Sequence, residues 1–205
     1  MTIRIFALIA LVVLVLGAPA SARTDDLASP TATVERLNDA LIDVMRNAKT
    51  LGYGGRFTRL APILRETFNF RIMAGISVGR YWRKLNAAQR DRLATSFGDM
   101  SIATFAARFD GYSGEHFEIV GEEPARRKAV LVRNRLIKSN GEAVEINYLL
   151  KRSNSSWRAV DIYLDAKYSE LAIKRSEYSS VIAKDGLDGL IRRIQAKLDE
   201  LANKG

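Results

Sequence analysis

The chain has 205 residues, a formal net charge of +9 and no cysteine. That length suits one domain with a hydrophobic core of its own. The absence of cysteine excludes disulfides, a CxxC redox pair and thiolate metal ligands, so the core must hold the fold by itself.

The chain opens MTIRIFALIALVVLVLGAPASARTDD. Arg4, the apolar run Ile5 to Leu16 and the small-x-small step Ala20-Ser21-Ala22 have the layout of a secretory signal peptide. The competing reading is an uncleaved anchor, but the apolar run is short for a membrane span. Residues 1–22 are therefore expected to be removed, leaving residues 23–205 as a single domain outside the cytoplasm. Export argues against nucleic acid as the partner of the basic charge. Anionic membrane surfaces, acidic proteins or a merely solvated basic surface fit better.

Ser29-Pro30 supplies an N-cap and a proline at the first helical position. Val34, Leu37, Leu41, Val44, Ala48 and Leu51 follow at helical spacing, and Gly52 is expected to close that helix. GYGG reads as a turn, then Phe57, Leu60, Ile63, Leu64 and Phe68 as a second helix with Pro62 near its start. NFRIMAGISVGRYW is a short helical or mixed segment. Asn86 and Gln89 have capping-box spacing and open a longer helix carrying Leu93, Phe97, Met100, Phe105 and Phe109. Its apolar stripe is wide, as expected of a helix covered on more than one side.

After Gly111 to Gly114 the period changes to two, predicting strands at 116–121, 128–138, 142–152 and 157–165. KSNGEA is expected to be a hairpin turn of three residues with Gly141 left-handed. This register opposes Leu136 to Val144, Val132 to Tyr148 and Val130 to Leu150, whereas a one-residue slip would oppose Arg135 to Ile146. Counting across SNSS places Val160, Ile162 and Leu164 on the face of Val144, Ile146, Tyr148 and Leu150. From Ala166 the chain reads as helical again, interrupted at Asp185-Gly186, with Leu187, Leu190, Ile191, Ile194, Leu198 and Leu201 lining a last amphipathic helix. The predicted fold is α+β: a curved antiparallel meander of about four strands covered by N- and C-terminal helices.

Catalytic and metal chemistry find little support in the residues. His116 is the single histidine, and no multi-histidine metal site is possible. Asp161 is an acid beside a hydrophobic layer, but its alternation phase points it away from the apolar face. No nucleophile elbow, phosphate loop or dinucleotide fingerprint is present. No catalytic residue, metal ligand or cofactor is expected. Arg126-Arg127-Lys128 either grips an anion or is a solvated loop. The aromatics Phe68, Phe70, Trp82, Phe97, Phe105 and Phe109 form either core or pocket, which periodicity does not separate.

Three stretches carry a family resemblance: FNFRIMAGISVGRYWRKLNAAQRDRLATSFGDM, EINYLLKRSNSSWRAVDIYLD and AKYSELAIKRSEYSSVIAKDGLDGLIRRI. Their order and spacing resemble MlaC-type periplasmic lipid-binding proteins, also called toluene-tolerance auxiliary proteins. The Ser-Glu-Leu-Ala-x-x-Arg-Ser wording is closer to the hopanoid-biosynthesis-associated branch, HpnM. The resemblance implies a periplasmic carrier that holds lipid in a cavity between sheet and helices. It also implies partners, an inner-membrane ABC transporter complex and an outer-membrane lipoprotein complex. The cargo implied is a phospholipid, or a hopanoid-type lipid given the departure at LDAKYSELAIKR. The residues expected to border that lipid are Phe68, Phe70, Met73, Ile76, Trp82, Phe97, Phe105, Ile146, Tyr148, Leu150, Val160, Ile162 and Leu164. The alternatives are a periplasmic cavity enzyme, an isomerase or hydrolase, and an accessory interaction protein without a ligand.

Overall fold

A computed structural model of the chain describes residues 29–165 and 168–204; the expected signal peptide lies outside them. In chain order these are α1 (Pro30–Arg46), α2 (Ala48–Thr67), α3 (Phe70–Val78), a 3-10 segment (Gly79–Lys84) and α4 (Ala87–Arg108). β1 (His116–Ala125), a 3-10 turn (Arg126–Lys128), β2 (Ala129–Ile137), β3 (Ala143–Ser153), β4 (Ser156–Leu164), β5 (Tyr168–Ser169) and α5 (Glu170–Lys204) follow. The strands form one antiparallel sheet in sequence order, and helices cover one of its faces. The other face carries solvent-exposed pairs such as Arg133 with Glu123 and Arg135 with Glu118.

Helix starts follow the expected local chemistry. Ser29 accepts from the Ala32 N–H at 3.0 Å with Pro30 next to it, and Asn86 and Gln89 form a complete capping box. The end of the first helix departs from expectation. α1 closes at Asn47, and Ala48 begins α2, whose path is broken only at Gly52 (φ 58°). The rest of GYGG is helical, because of that stretch Gly52 alone takes the left-handed conformation that breaks a helix. Pro62 lies inside α2, not near its start, and Phe68 is the extended residue that ends it and bridges to Ala159. The second expected break holds: Gly186 (φ 69°) kinks α5.

In the sheet, Leu136 faces Val144, Val132 faces Tyr148 and Val130 faces Leu150, as apolar matching requires. The hairpin closes through Lys138 and Glu142 backbone pairing at 2.8 Å with Gly141 at φ 83°. Two features were not expected. β1 runs on to Ala125, with a bulge between Ile119 and Gly121, so the segment before Arg126 is strand rather than loop. Tyr168–Ser169 adds a fifth strand to β4 where the tail was expected to be helical already. Both extra pairings satisfy backbone groups that a free sheet edge would leave open.

Arg56 is a buried cation that ties helices together. Its Nε donates to the Ala106 carbonyl at 2.8 Å and its Nη1 to the Ala48 carbonyl at 3.3 Å. Replacing it by Met keeps the stem but leaves those carbonyls without this donor. Arg56→Met is expected to cost about 2 kcal/mol of stability in urea titration. A cost under about 0.5 kcal/mol would show the guanidinium to be dispensable.

Candidate functional site

The helical layer does not lie flush on the sheet. A cavity of about 460 Å³ remains between β2, β3 and β4 on one side and α3, α4 and the start of α5 on the other. That size is within the range of about 300–1,000 Å³ of small-molecule sites. Aromatic rings build its walls. Phe68 and Phe70 stack at 5.7 Å, Phe105 and Phe109 at 5.6 Å, and Phe97 meets Tyr178 edge-on at 6.2 Å. Met45, Met73 and Met100 add adaptable thioethers. Phe70 lies directly on α4 because Gly98 leaves room: a Cβ there would stand 2.9 Å from the ring.

Of the residues expected at the site, Phe68, Phe70, Met73, Phe97, Phe105, Ile146, Ile162 and Leu164 line this cavity. Ile76, Trp82, Tyr148, Leu150 and Val160 do not. Ile76 is exposed on α3, and Trp82 covers Gly75 on the 3-10 segment while Arg71 and Arg90 stand over its ring. Tyr148 and Leu150 are packed within the core below the cavity. Val160 is displaced by a bulge between Leu149 and Leu150, which sets Ala159 opposite Leu150 and leaves Val160 as the extra residue. It is buried, yet outside the cavity lining.

The lining also holds residues that an apolar stripe does not select. On α4, Ser101, Thr104 and Arg108 follow Phe97 at about one-turn steps and share its face toward the cavity. Leu136 and Val144 come from the hairpin, and Leu171 and Tyr178 from α5. The matched apolar pair in the hairpin was a signal for the first two. Nothing in the periodicity of α5 pointed its first turns here.

Burial holds the Tyr178 phenol well above its ordinary pKa, with a smaller contribution from Glu177, so it stays neutral. Tyr148 is likewise raised by burial alone, and its hydroxyl has no partner among the described residues. Asp161 is buried and is not among the residues that line the cavity. Its carboxylate accepts from the Ser169 hydroxyl at 2.7 Å and the Leu171 N–H at 3.2 Å, which anchors the start of α5. Burial raises its pKa and these hydrogen bonds oppose the rise. Such an acid is occupied structurally and does not face the cavity, against the cavity-enzyme alternative. His116 is exposed at the start of β1, 3.4 Å from Glu118.

Comparison with known proteins gives a consistent picture. A family model described as MlaC protein matches residues 35–196. The chain is 25% identical over 176 residues to the intermembrane phospholipid transport system binding protein MlaC of Haemophilus influenzae, covering 82% of this chain and 81% of that one. The solved structure of a phospholipid-binding protein from Ralstonia solanacearum, in complex with a phospholipid, superposes with a TM-score of 0.74. It is 21% identical and covers 85% of this chain and 99% of that one, a likeness of fold.

Proposed function

This chain belongs to the MlaC family, and from that premise we propose that it is a periplasmic carrier of phospholipid. In this reading it moves lipid between the inner and outer membranes together with an ABC-transporter system and an outer-membrane lipoprotein complex. The observation that carries the proposal is the cavity itself: an apolar chamber of about 460 Å³ between sheet and helices, walled by Phe68, Phe70, Phe97 and Phe105. Acyl chains need no specific polar partner there, because each buried methylene contributes roughly 0.8 kcal/mol. Support for phospholipid comes from the relative's name and from the lipid held by the Ralstonia protein.

The mechanism is one of shielding and release. The protein encloses the tails, so water does not contact them during transit, and gives them up at a membrane complex. Native mass spectrometry of protein purified from its own periplasm is expected to show a bound lipid whose extract contains phosphorus. A polycyclic lipid without phosphate would instead assign the cavity to hopanoid-type cargo. Ligand-free protein that takes up no lipid from vesicles would overturn the carrier reading.

A further inference from the structure

α3 has two different sides. Phe70 and Met73 line the cavity, and Ala74, Ser77 and Val78 are buried on the same side. The helical repeat leaves Arg71, Ile72, Gly75, Ile76 and Gly79 on the opposite side. There Ile72 and Ile76, one turn apart, are each 40% exposed. The 3-10 segment folds back beside them, with the Trp82 ring 3.2 Å from where a Cβ on Gly75 would stand. Cations surround the rings. Arg71 and Arg90 stand over Trp82 at 5.8 and 5.6 Å, and Arg80 and Lys84 over Tyr81 at 5.2 and 5.7 Å. A Cβ on Gly79 would stand 3.3 Å from the Arg175 guanidinium, so α5 adds a further cation at the same border.

The charge here is of one sign. Residues 67–90 hold Arg71, Arg80, Arg83, Lys84 and Arg90 and no Asp or Glu. Arg71 pairs with Asp91, while Arg80, Arg83, Lys84 and Arg90 have no carboxylate partner among the described residues. On α1 and α2, by contrast, Arg36, Arg59 and Arg65 are each ion-paired. A carboxylate-rich protein surface would satisfy the cations but set charge against the two isoleucines. An anionic bilayer satisfies both, because phosphates lie at the level of the cations and the acyl boundary lies beneath them. Trp and Tyr beside Lys and Arg suit the same level, with an apolar body and a polar tip.

We propose that the outer face of α3, with the 3-10 segment after it, is a docking surface for an anionic lipid bilayer. The proposal goes beyond the carrier reading, because Ile72, Ile76, Trp82, Arg83 and Lys84 do not line the cavity. Each Lys or Arg held near an anionic leaflet strengthens binding about fivefold, so a few unpaired cations suffice for reversible attachment.

The test floats the purified protein with vesicles of equal parts phosphatidylglycerol and phosphatidylcholine, or of phosphatidylcholine alone. It should float with the anionic vesicles only, and the bound fraction should fall at least fivefold between about 0.1 M and 1 M salt. Arg83→Glu with Lys84→Glu, both exposed, should weaken attachment at least tenfold. Ile72→Ser with Ile76→Ser should weaken it about threefold or more. Thermal unfolding near that of the parent and unchanged lipid content by native mass spectrometry should accompany both double variants. Arg126→Glu with Arg127→Glu makes the same change of net charge on the exposed β1–β2 turn, and should weaken attachment less than threefold. Equal loss in that control would overturn the proposal by assigning attachment to net charge. No flotation of the parent protein would also overturn it, leaving an acidic protein as the occupant of the patch. Neither result touches the carrier reading, which the lipid content reads separately.

Discussion

Ile194→Asp should lower the unfolding free energy by about 3–5 kcal/mol, the range for an unpaired charge forced into a core. Ile194 is 3% exposed on α5 and belongs with Leu190 to the main hydrophobic cluster. Before Gly186, α5 runs along the cavity through Leu171 and Tyr178. After the kink it returns an apolar stripe, Leu187, Leu190, Ile191, Ile194 and Leu198, to the rest of the core. A carboxylate at position 194 finds no cation inside that stripe. Ala196→Asp, two residues on at an exposed position, should change stability by no more than about 0.5 kcal/mol. Urea titration of both variants checks the contrast, and equal effects would show the C-terminal stretch to be peripheral.

The second large effect separates a cavity wall from packed core. Ile146→Trp should reduce bound lipid at least tenfold while leaving the unfolding temperature of the lipid-free protein close to that of the parent. Ile146 borders the cavity and is only half-buried, so a larger side chain grows into the space proposed for acyl chains. Val160→Trp is the counterpart. Val160 is 3% exposed at a bulge and does not reach the cavity, so the added volume must displace packed atoms. That overpacking should cost about 1–3 kcal/mol and leave lipid retention unchanged. Thermal unfolding paired with native mass spectrometry measures both quantities. If Ile146→Trp destabilised the protein as much as Val160→Trp and left lipid in place, the chamber would not be the binding site.

These two residues also mark how much was legible beforehand. Both were expected on one apolar face, from simple alternation along β3 and β4. The expectation held for Ile146 and for Ile162, whose pairing with Tyr148 follows from the hairpin count. Val160 is buried but outside the cavity lining, at a point where the simple alternation is interrupted. One inserted residue between the pairs Leu149–Asp161 and Leu150–Ala159 resets the phase. Trp82 and Ile76 lie outside the cavity lining for a different reason. Hydrophobicity says that a side chain benefits from cover but not which element supplies it, and here the 3-10 turn after α3 folds Trp82 back over Gly75.

What the sequence determined by itself is the set of local decisions. Ser29, Asn86 and Gln89 start helices, Gly52 and Gly186 break them, and Gly141 turns the hairpin into the register that matches Leu136 with Val144. Each rests on a backbone preference or a near-neighbour hydrogen bond, so a few residues suffice to decide it. The tertiary structure alone decided that Phe70, Phe97 and Phe105 face open space while Tyr148 and Leu150 on the facing sheet are closed over. It also brought Arg108, Glu115, Lys138 and Glu170, from four separate stretches of the chain, into the lining of that cavity. Whether an apolar face meets another side chain or a void depends on the separation between helices and sheet. That separation is set jointly by bulges, kinks and close contacts such as Phe70 on Gly98, which lie far apart in the chain and leave no periodic signal in it.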